Sequence, residues 1–227
     1  MSKLLQDIQM KQKNFFIAAA ALLVVAFVVG AFFYQSQKAE QAAQTATQNR
    51  EALVRLHSPT LGNADAPVHI VEFLDPACET CRDFYPFVKD LMAAHPGKIR
   101  LSIRYAPFHR GSDQVVKVLE AARKQDKYWQ TLEALLASQA VWVKQHTAYV
   151  DLVWQPLNAL GLDIERVRND MNSPEIARVI EQDLADAKTL NVAQTPEFFV
   201  NGKPLPRFSY DDLKKLVDDA VVGANGK

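Results

Sequence analysis

The longest uniform pattern in the chain is an apolar run, FFIAAAALLVVAFVVGAFFY from Phe15 to Tyr34, with no charged residue inside it. As a helix rising about 1.5 Å per residue, it matches the roughly 30 Å hydrocarbon layer of a bilayer. Lys3, Lys11 and Lys13 precede it against one acid, Asp7, a bias that holds the preceding segment on the cytoplasmic side. The pattern predicts a cytoplasmic tail over 1–14 and a transmembrane anchor over 15–34, with everything after Tyr34 exported. A cleaved signal peptide has a shorter apolar core and a small-x-small site directly after it. Here FFYQSQ follows, so an uncleaved anchor is expected.

Beyond the anchor the pattern turns polar. Gln35 to Leu56 is rich in Ala, Gln and Glu and has no Gly or Pro, which favours helix. Its alanines are too small to bury much surface, and no Leu/Ile heptad is sustained. A solvated stalk is therefore expected rather than a weakly oligomerising helix, and the oligomeric state stays open. With the turn-rich HSPTLGNADAP that follows, it makes a helical stalk and linker over 35–66.

The next pattern is that of a globule over 67–222, with a short tail at 223–227. VHIVEFL, Val68 to Leu74, is an apolar, β-branched run that reads as a strand buried on both faces, as in a parallel sheet. Glu72 is its one violation, while His69 reads as a strand-end residue. KIRLSIRY, Lys98 to Tyr105, is a second strand. Between them Phe84, Phe87, Val88 and Leu91 recur at helical spacing, with Pro86 predicting a kink and Pro96-Gly97 a stop. This is a β-α-β unit.

Much later EFFV reads as a strand, Asn201-Gly202 as a tight hairpin turn and KPL as a returning edge strand. A helix capped by Ser209 and Asp212 follows, giving a β-β-α unit. The residues between the two units, about 111–191, read as four helices: SDQVVKVLEAARK, YWQTLEALLAS, VDLVWQPLNALG and SPEIARVIEQDLADAKTL. The last opens with Ser173 and Pro174 and places Ile176, Val179, Ile180, Leu184 and Ala187 on one face. The fold class is α/β with an inserted helical domain.

Composition narrows the function. Basic and acidic residues balance at 26 each, so no global field draws the chain to nucleic acid. Two cysteines in 227 residues make neither a disulfide-rich scaffold nor a four-cysteine zinc site. They are Cys78 and Cys81, in EFLDPACETCRDFYPF, where the first strand turns into its helix. A thiolate is the attacking species in disulfide exchange, and a helix N-terminus stabilises an anion. Cys78 sits at that end and Cys81 one turn in, so Cys78 is expected to attack and Cys81 to resolve.

Other uses of the pair have to be weighed. The five histidines, His57, His69, His95, His109 and His146, form no H-x₃₋₅-H pair, so no zinc site and no metal is expected. A copper dithiolate module for binding or delivery is the alternative function, since thiolates suit Cu(I). Only Met92 and Met171 follow the anchor, with no methionine-rich motif to support it. A structural staple across so short a loop would restrict the unfolded chain little.

APVHIVEFLDPACETC, IRYAPFHRGS and TPEFFVNGKPL together resemble the DsbA-like branch of the thioredoxin superfamily, over roughly His57 to Val222. The resemblance implies a thioredoxin-like fold with a helical insertion and protein thiol:disulfide oxidoreductase activity, with no small-molecule cofactor. It implies client proteins carrying thiols or disulfides, and a partner redox protein that recycles the pair. It also implies a cis peptide before Pro196, packed against the cysteines, with Thr195 offering its backbone to an extended client. Glu72 matches a buried acid that moves protons to or from the resolving cysteine. With the anchor, it implies a single-pass protein of the bacterial inner membrane, its catalytic domain on the periplasmic side. Between the cysteines the strong oxidases carry Pro-His, whereas this chain has Glu79-Thr80. A negative Glu79 beside the sulfur opposes the thiolate, so a milder couple is expected, with oxidase, isomerase and reductase directions open.

Overall fold

The structure, a computed structural model, describes residues 2–225, with side chains described from 22 to 224 except at 42, 43 and 45–48. One helix, α1, runs over Ser2–Leu53. Among the described residues it holds one stretch, Leu22–Gln41, of mean hydropathy 1.4, long and apolar enough to cross a membrane. The side chains of residues 15–21 of the expected anchor lie outside the described residues. The chain divides into two units, 1–45 and 46–227.

The second unit is built on a mixed sheet. Its strands are β1 (Thr60–Gly62), β2 (Val68–Leu74), β3 (Ile99–Tyr105), β6 (Glu197–Val200) and β7 (Lys203–Pro204), in the order β1-β3-β2-β6-β7. Only β2 and β3 run parallel, in register from Val68↔Ile99 to Leu74↔Tyr105. The helix α2 (Glu79–Ala94) makes that crossover. It runs unbroken through Pro86 and stops before Gly97, whose φ of 72° lies in the left-handed region that glycine tolerates. Asn201 and Gly202 at φ 49° and 82° make the β6–β7 turn. Ser209 Oγ accepts the Asp212 amide and starts α9 (Tyr210–Asn225). That helix enters the expected 223–227 tail, of which 226 and 227 lie outside the described residues.

Alternation along the strands sorts two cores. Val68, Ile70 and Leu74, with Leu101, Ile103, Phe198 and Val200, pack with Phe84 and Val88 of α2 and Leu213 and Val217 of α9. On the opposite face Val71, Phe73 and Phe199 pack with Leu53, Ala187 and Val192. Leu53 and β1 fall within the segment expected as stalk and linker. They belong to the globule because Leu53 is 2 % exposed and β1 pairs antiparallel with β3.

The insertion holds α3 (Ser112–Arg123), α4 (Tyr128–Ala137), α5 (Gln139–Trp142), α6 (Trp154–Leu157), α7 (Ile164–Asp170) and α8 (Pro174–Thr189). It also carries a hairpin of β4 (Val143–Lys144) and β5 (Thr147–Ala148), which the hydrophobic pattern did not announce. The helix expected over VDLVWQPLNALG is instead α6 flanked by 3-10 turns, Val150–Leu152 and Asn158–Leu160. Pro156, in the first turn of α6, favours the break before that helix, since its ring clashes with the carbonyl four residues back and it lacks an N–H to bond it.

The face of α8 also differs from expectation. Leu184 is exposed, while Asp183 and Asp186 are buried. Arg104 of β3 is the reason. It is fully buried on the second face and forks to Asp183 Oδ1 through Nε at 2.8 Å and to Asp186 Oδ2 through Nη2 at 2.6 Å. Its Nη1 donates to Ala52 O at 2.6 Å, and Asp183 Oδ2 accepts the Tyr105 amide at 2.7 Å. Arg55 Nη2 adds a further bond to Asp186 Oδ1 at 2.7 Å. One buried guanidinium thus holds the end of α1, the sheet and the insertion together. Arg104→Ala is expected to cost about 3–5 kcal/mol, because it removes the buried cation that two buried carboxylates share. Thermal unfolding of the full chain in detergent measures it, and a loss of under about 1 kcal/mol would show the network to be dispensable.

Candidate active site

The site grows from the end of β2. Asp75 is fully buried and its Oδ1 accepts the Ala77 amide at 2.8 Å, which bends the chain into the turn before α2. Gln139 of α5 clamps the same turn from the insertion, donating through Nε2 to Pro76 O and Cys78 O, both at 2.9 Å. Cys78 thereby lands at the N-cap of α2, with extended backbone angles of −80° and 121°. Neither Asp75 nor Gln139 was singled out from the sequence. The position of Asp75 at the strand end, just before a proline, was the available signal; Gln139 had none.

Both cysteines are free thiols and both are buried, Cys78 at 6 % and Cys81 at 0 %. Their environments diverge. Hydrogen bonding from the Cys81 thiol, then from the Thr195 side chain and the amides of Cys81 and Thr80, pulls Cys78 down to about 5 against its burial. Burial, followed by the influence of Cys78 and Glu72, pushes Cys81 well above the ordinary thiol range. One sulfur is thus prepared as a thiolate and the other held as a thiol.

Thr195 and Pro196 reach the pair from 117 residues away. The Cys78 thiol donates to Thr195 O at 3.2 Å, and the Thr195–Pro196 peptide is cis. The sheet order accounts for the meeting, since β6 lies beside β2. Glu72 lies beneath: it alternates with Val71 and Phe73, so it shares the α2 side of the sheet with Ile70 and Leu74. It is fully buried, and among the described residues neither carboxylate oxygen has a hydrogen-bond partner. Burial, with the nearby Cys78 charge second, raises it to about 8.

Glu79 opens α2 directly after Cys78. Its carboxylate lies 3.6 Å from His146 Nδ1 and is half exposed. The sequence contained no metal-ligand spacing, yet Glu79, His109 and His146 offer ligand atoms all within 4.8 Å of one another. This grouping was illegible beforehand because its members come from three separate elements.

A family profile described as Thioredoxin matches residues 54–219. The chain belongs to the thioredoxin family. Within it the chain is DsbA-like. It is 31 % identical over 169 residues to "Probable disulfide bond formation protein D" of Bacillus anthracis, covering 70 % of this chain and 76 % of that one. A thioredoxin-like oxidoreductase from Silicibacter pomeroyi DSS-3 superposes with a TM-score of 0.66 at 33 % identity, covering 75 % of this chain and 96 % of the other. The chain is also 33 % identical over 150 residues to the Na(+)/H(+) antiporter NhaA of Herminiimonas arsenicoxydans. That match covers 66 % of this chain but only 23 % of the antiporter. In this DsbA-like protein, a prepared thiolate beside a protonated thiol is the chemistry of a thiol:disulfide oxidoreductase.

The raised acid gives a signed prediction. Glu72 titrates at about 8 in the fold against an ordinary 4.5. The stability carried by its protonated form is complete below about 4.5 and lost as pH rises through about 8. Glu72→Gln cannot ionise. The reduced variant is expected to match the reduced parent near pH 4, to exceed it increasingly between about pH 4.5 and 8, and to hold a constant excess above that in chemical denaturation. Identical pH profiles for the two proteins would show that Glu72 titrates as an ordinary carboxyl.

Proposed function

We propose that the protein is an extracytoplasmic oxidant of client thiols, held at the bacterial inner membrane by its apolar N-terminal helix. The unequal treatment of the two sulfurs carries this reading. In the disulfide form, a client thiolate attacks Cys78, forming a mixed disulfide and releasing Cys81. A second client thiolate then attacks the client sulfur, so the client leaves with a disulfide and Cys78 leaves as a thiolate. Two electrons pass to the Cys78–Cys81 pair, and a partner redox protein must remove them. Cys78 is the better leaving group because its anion is stabilised, and a stabilised reduced form makes its disulfide the stronger oxidant.

Each supporting residue has a task in this scheme. The Thr195 carbonyl faces Cys78 and offers an extended client a backbone acceptor, with Pro196 shaping that wall. The Thr80 amide helps hold the Cys78 anion. Glu72, poised near 8, supplies or removes the Cys81 proton when the pair opens or closes. Glu79, adjacent to the sulfur in the chain, has its carboxylate 3.6 Å from His146 Nδ1. The name of the Bacillus anthracis relative, a probable disulfide bond formation protein, points the same way. Nucleic acid has no part in the scheme, and clients are recognised through their thiols.

Two measurements test the proposal. In a Cys81→Ala variant of the full chain, Cys78 is expected to accumulate client proteins as mixed disulfides that a reductant releases. Absence of captured protein, with stoichiometric Cu(I) binding by the unaltered chain, would favour the copper module instead. The second follows the linkage at Cys78. Its depressed value stabilises the dithiol form, fully above about 9 and decreasingly as pH falls through about 5. The disulfide should therefore be readily reduced in glutathione equilibria at neutral pH and lose oxidising power toward pH 5. A pair that stays oxidised in excess glutathione would point to the reductase direction.

A further inference from the structure

The grouping of Glu79, His109 and His146 takes no part in the exchange steps and is assembled by tertiary contacts from three separate elements. His109 is in the connection after β3, and His146 is at the tip of the β4–β5 hairpin. A backbone bridge docks the hairpin on the connection. Arg110 and Thr147 form a parallel bridge, and the Ala148 amide donates to Arg110 O at 2.8 Å. Gly111 makes the approach possible: a Cβ there would lie 2.5 Å from Ala148 O, and its φ of 78° is left-handed. The hairpin turn places Gln145 and His146 at φ 48° and 59°. The two imidazoles consequently lie face to face at 28° to one another, 5.9 Å between centroids, with Glu79 of the first turn of α2 beside His146.

The orientation of His109 is fixed from behind. Asp75 Oδ2 lies 2.7 Å from His109 Nδ1 and also accepts the His109 amide at 2.8 Å. With a carboxylate as its partner, Nδ1 is the nitrogen that donates, which leaves Nε2 as the nitrogen available to a ligand. A carboxylate behind a histidine is the arrangement that orients metal-binding imidazoles and raises their basicity. Asp75 is fully buried and held by Ala77 and Ser112 as well, so this support is rigid.

We propose that Glu79, His109 and His146 form a binding site for a borderline divalent cation of the zinc class. Two imidazole nitrogens and one carboxylate oxygen are the ligand set of an open zinc site, with a fourth position left to water or an incoming group. Bonds of about 2.0–2.1 Å place tetrahedral ligand atoms roughly 3.4 Å apart. Closing from within 4.8 Å needs shifts on the order of 1 Å, which fall on the exposed side chains of His146 and Glu79 rather than on the fixed His109. The site is chemically distinct from a dithiolate copper site, because it uses neither sulfur. It is also independent of the direction of disulfide exchange.

The test uses the full, tag-free chain in detergent with Cys78 and Cys81 oxidised to their disulfide, which removes thiolates as competing ligands. Zinc ion alone is titrated calorimetrically. One zinc per chain is expected, with affinity reduced at least about tenfold by His146→Ala and by Glu79→Gln. Both side chains are substantially exposed, 74 % and 44 %, so neither variant is expected to unfold. No zinc binding by the oxidised parent, or binding that both variants retain unchanged, would overturn the site.

Discussion

The Asp75 carboxylate is the contact on which the functional end of the molecule depends. It is buried at the end of β2 and takes the Ala77 amide on one oxygen, and His109 and Ser112 on the other. The first bond turns the strand into the loop that carries Cys78. The others tie that loop to the start of α3 and so to the whole insertion. A buried carboxylate with several donors is a demanding arrangement, since each unmade bond would cost the desolvation of a charged group. It therefore fixes the relation of the two cysteines to the residues around them.

The sheet makes the same economy of buried polar groups at its other end. A strand covered on both faces has no solvent side, so every polar residue in it must be paired or stay neutral. β3 answers with Arg104, paired to Asp183 and Asp186. β2 answers with Glu72, which has no partner and is held in the protonated range. These are opposite solutions to one constraint. Arg104 is spent on architecture, whereas Glu72 stays chemically available directly under the cysteine pair. Donors gathered on Cys78 and apolar packing around Cys81 complete the contrast between the two sulfurs.

Much of this could be read in the chain. The β-α-β and β-β-α units, the cysteines at a strand-to-helix turn and the stop at Gly97 follow from periodicity and turn chemistry, which act over a few residues. Glu72 stood out as a charge in an apolar strand. The helices α3, α4 and α8 were legible for the same reason. What failed was the covering of surfaces. Ser102 and Arg104 are polar positions of β3 yet are buried, because α8 and the end of α1 lie on that face. The exposure of Leu184 follows from the same packing.

The sequence alone determined the elements, the placement of Cys78 and Cys81 and an apolar N-terminal run long enough to span a bilayer, because these depend on local spacing and composition. Tertiary structure alone decided which residues stand beside the sulfurs. Thr195 reaches Cys78 because β6 pairs with β2, and Gln139 reaches the turn because the insertion folds back over it. Glu79 is drawn to His146 because Gly111 lets a hairpin close against the loop of His109. Such meetings join residues tens of positions apart, and no pattern along the chain records them.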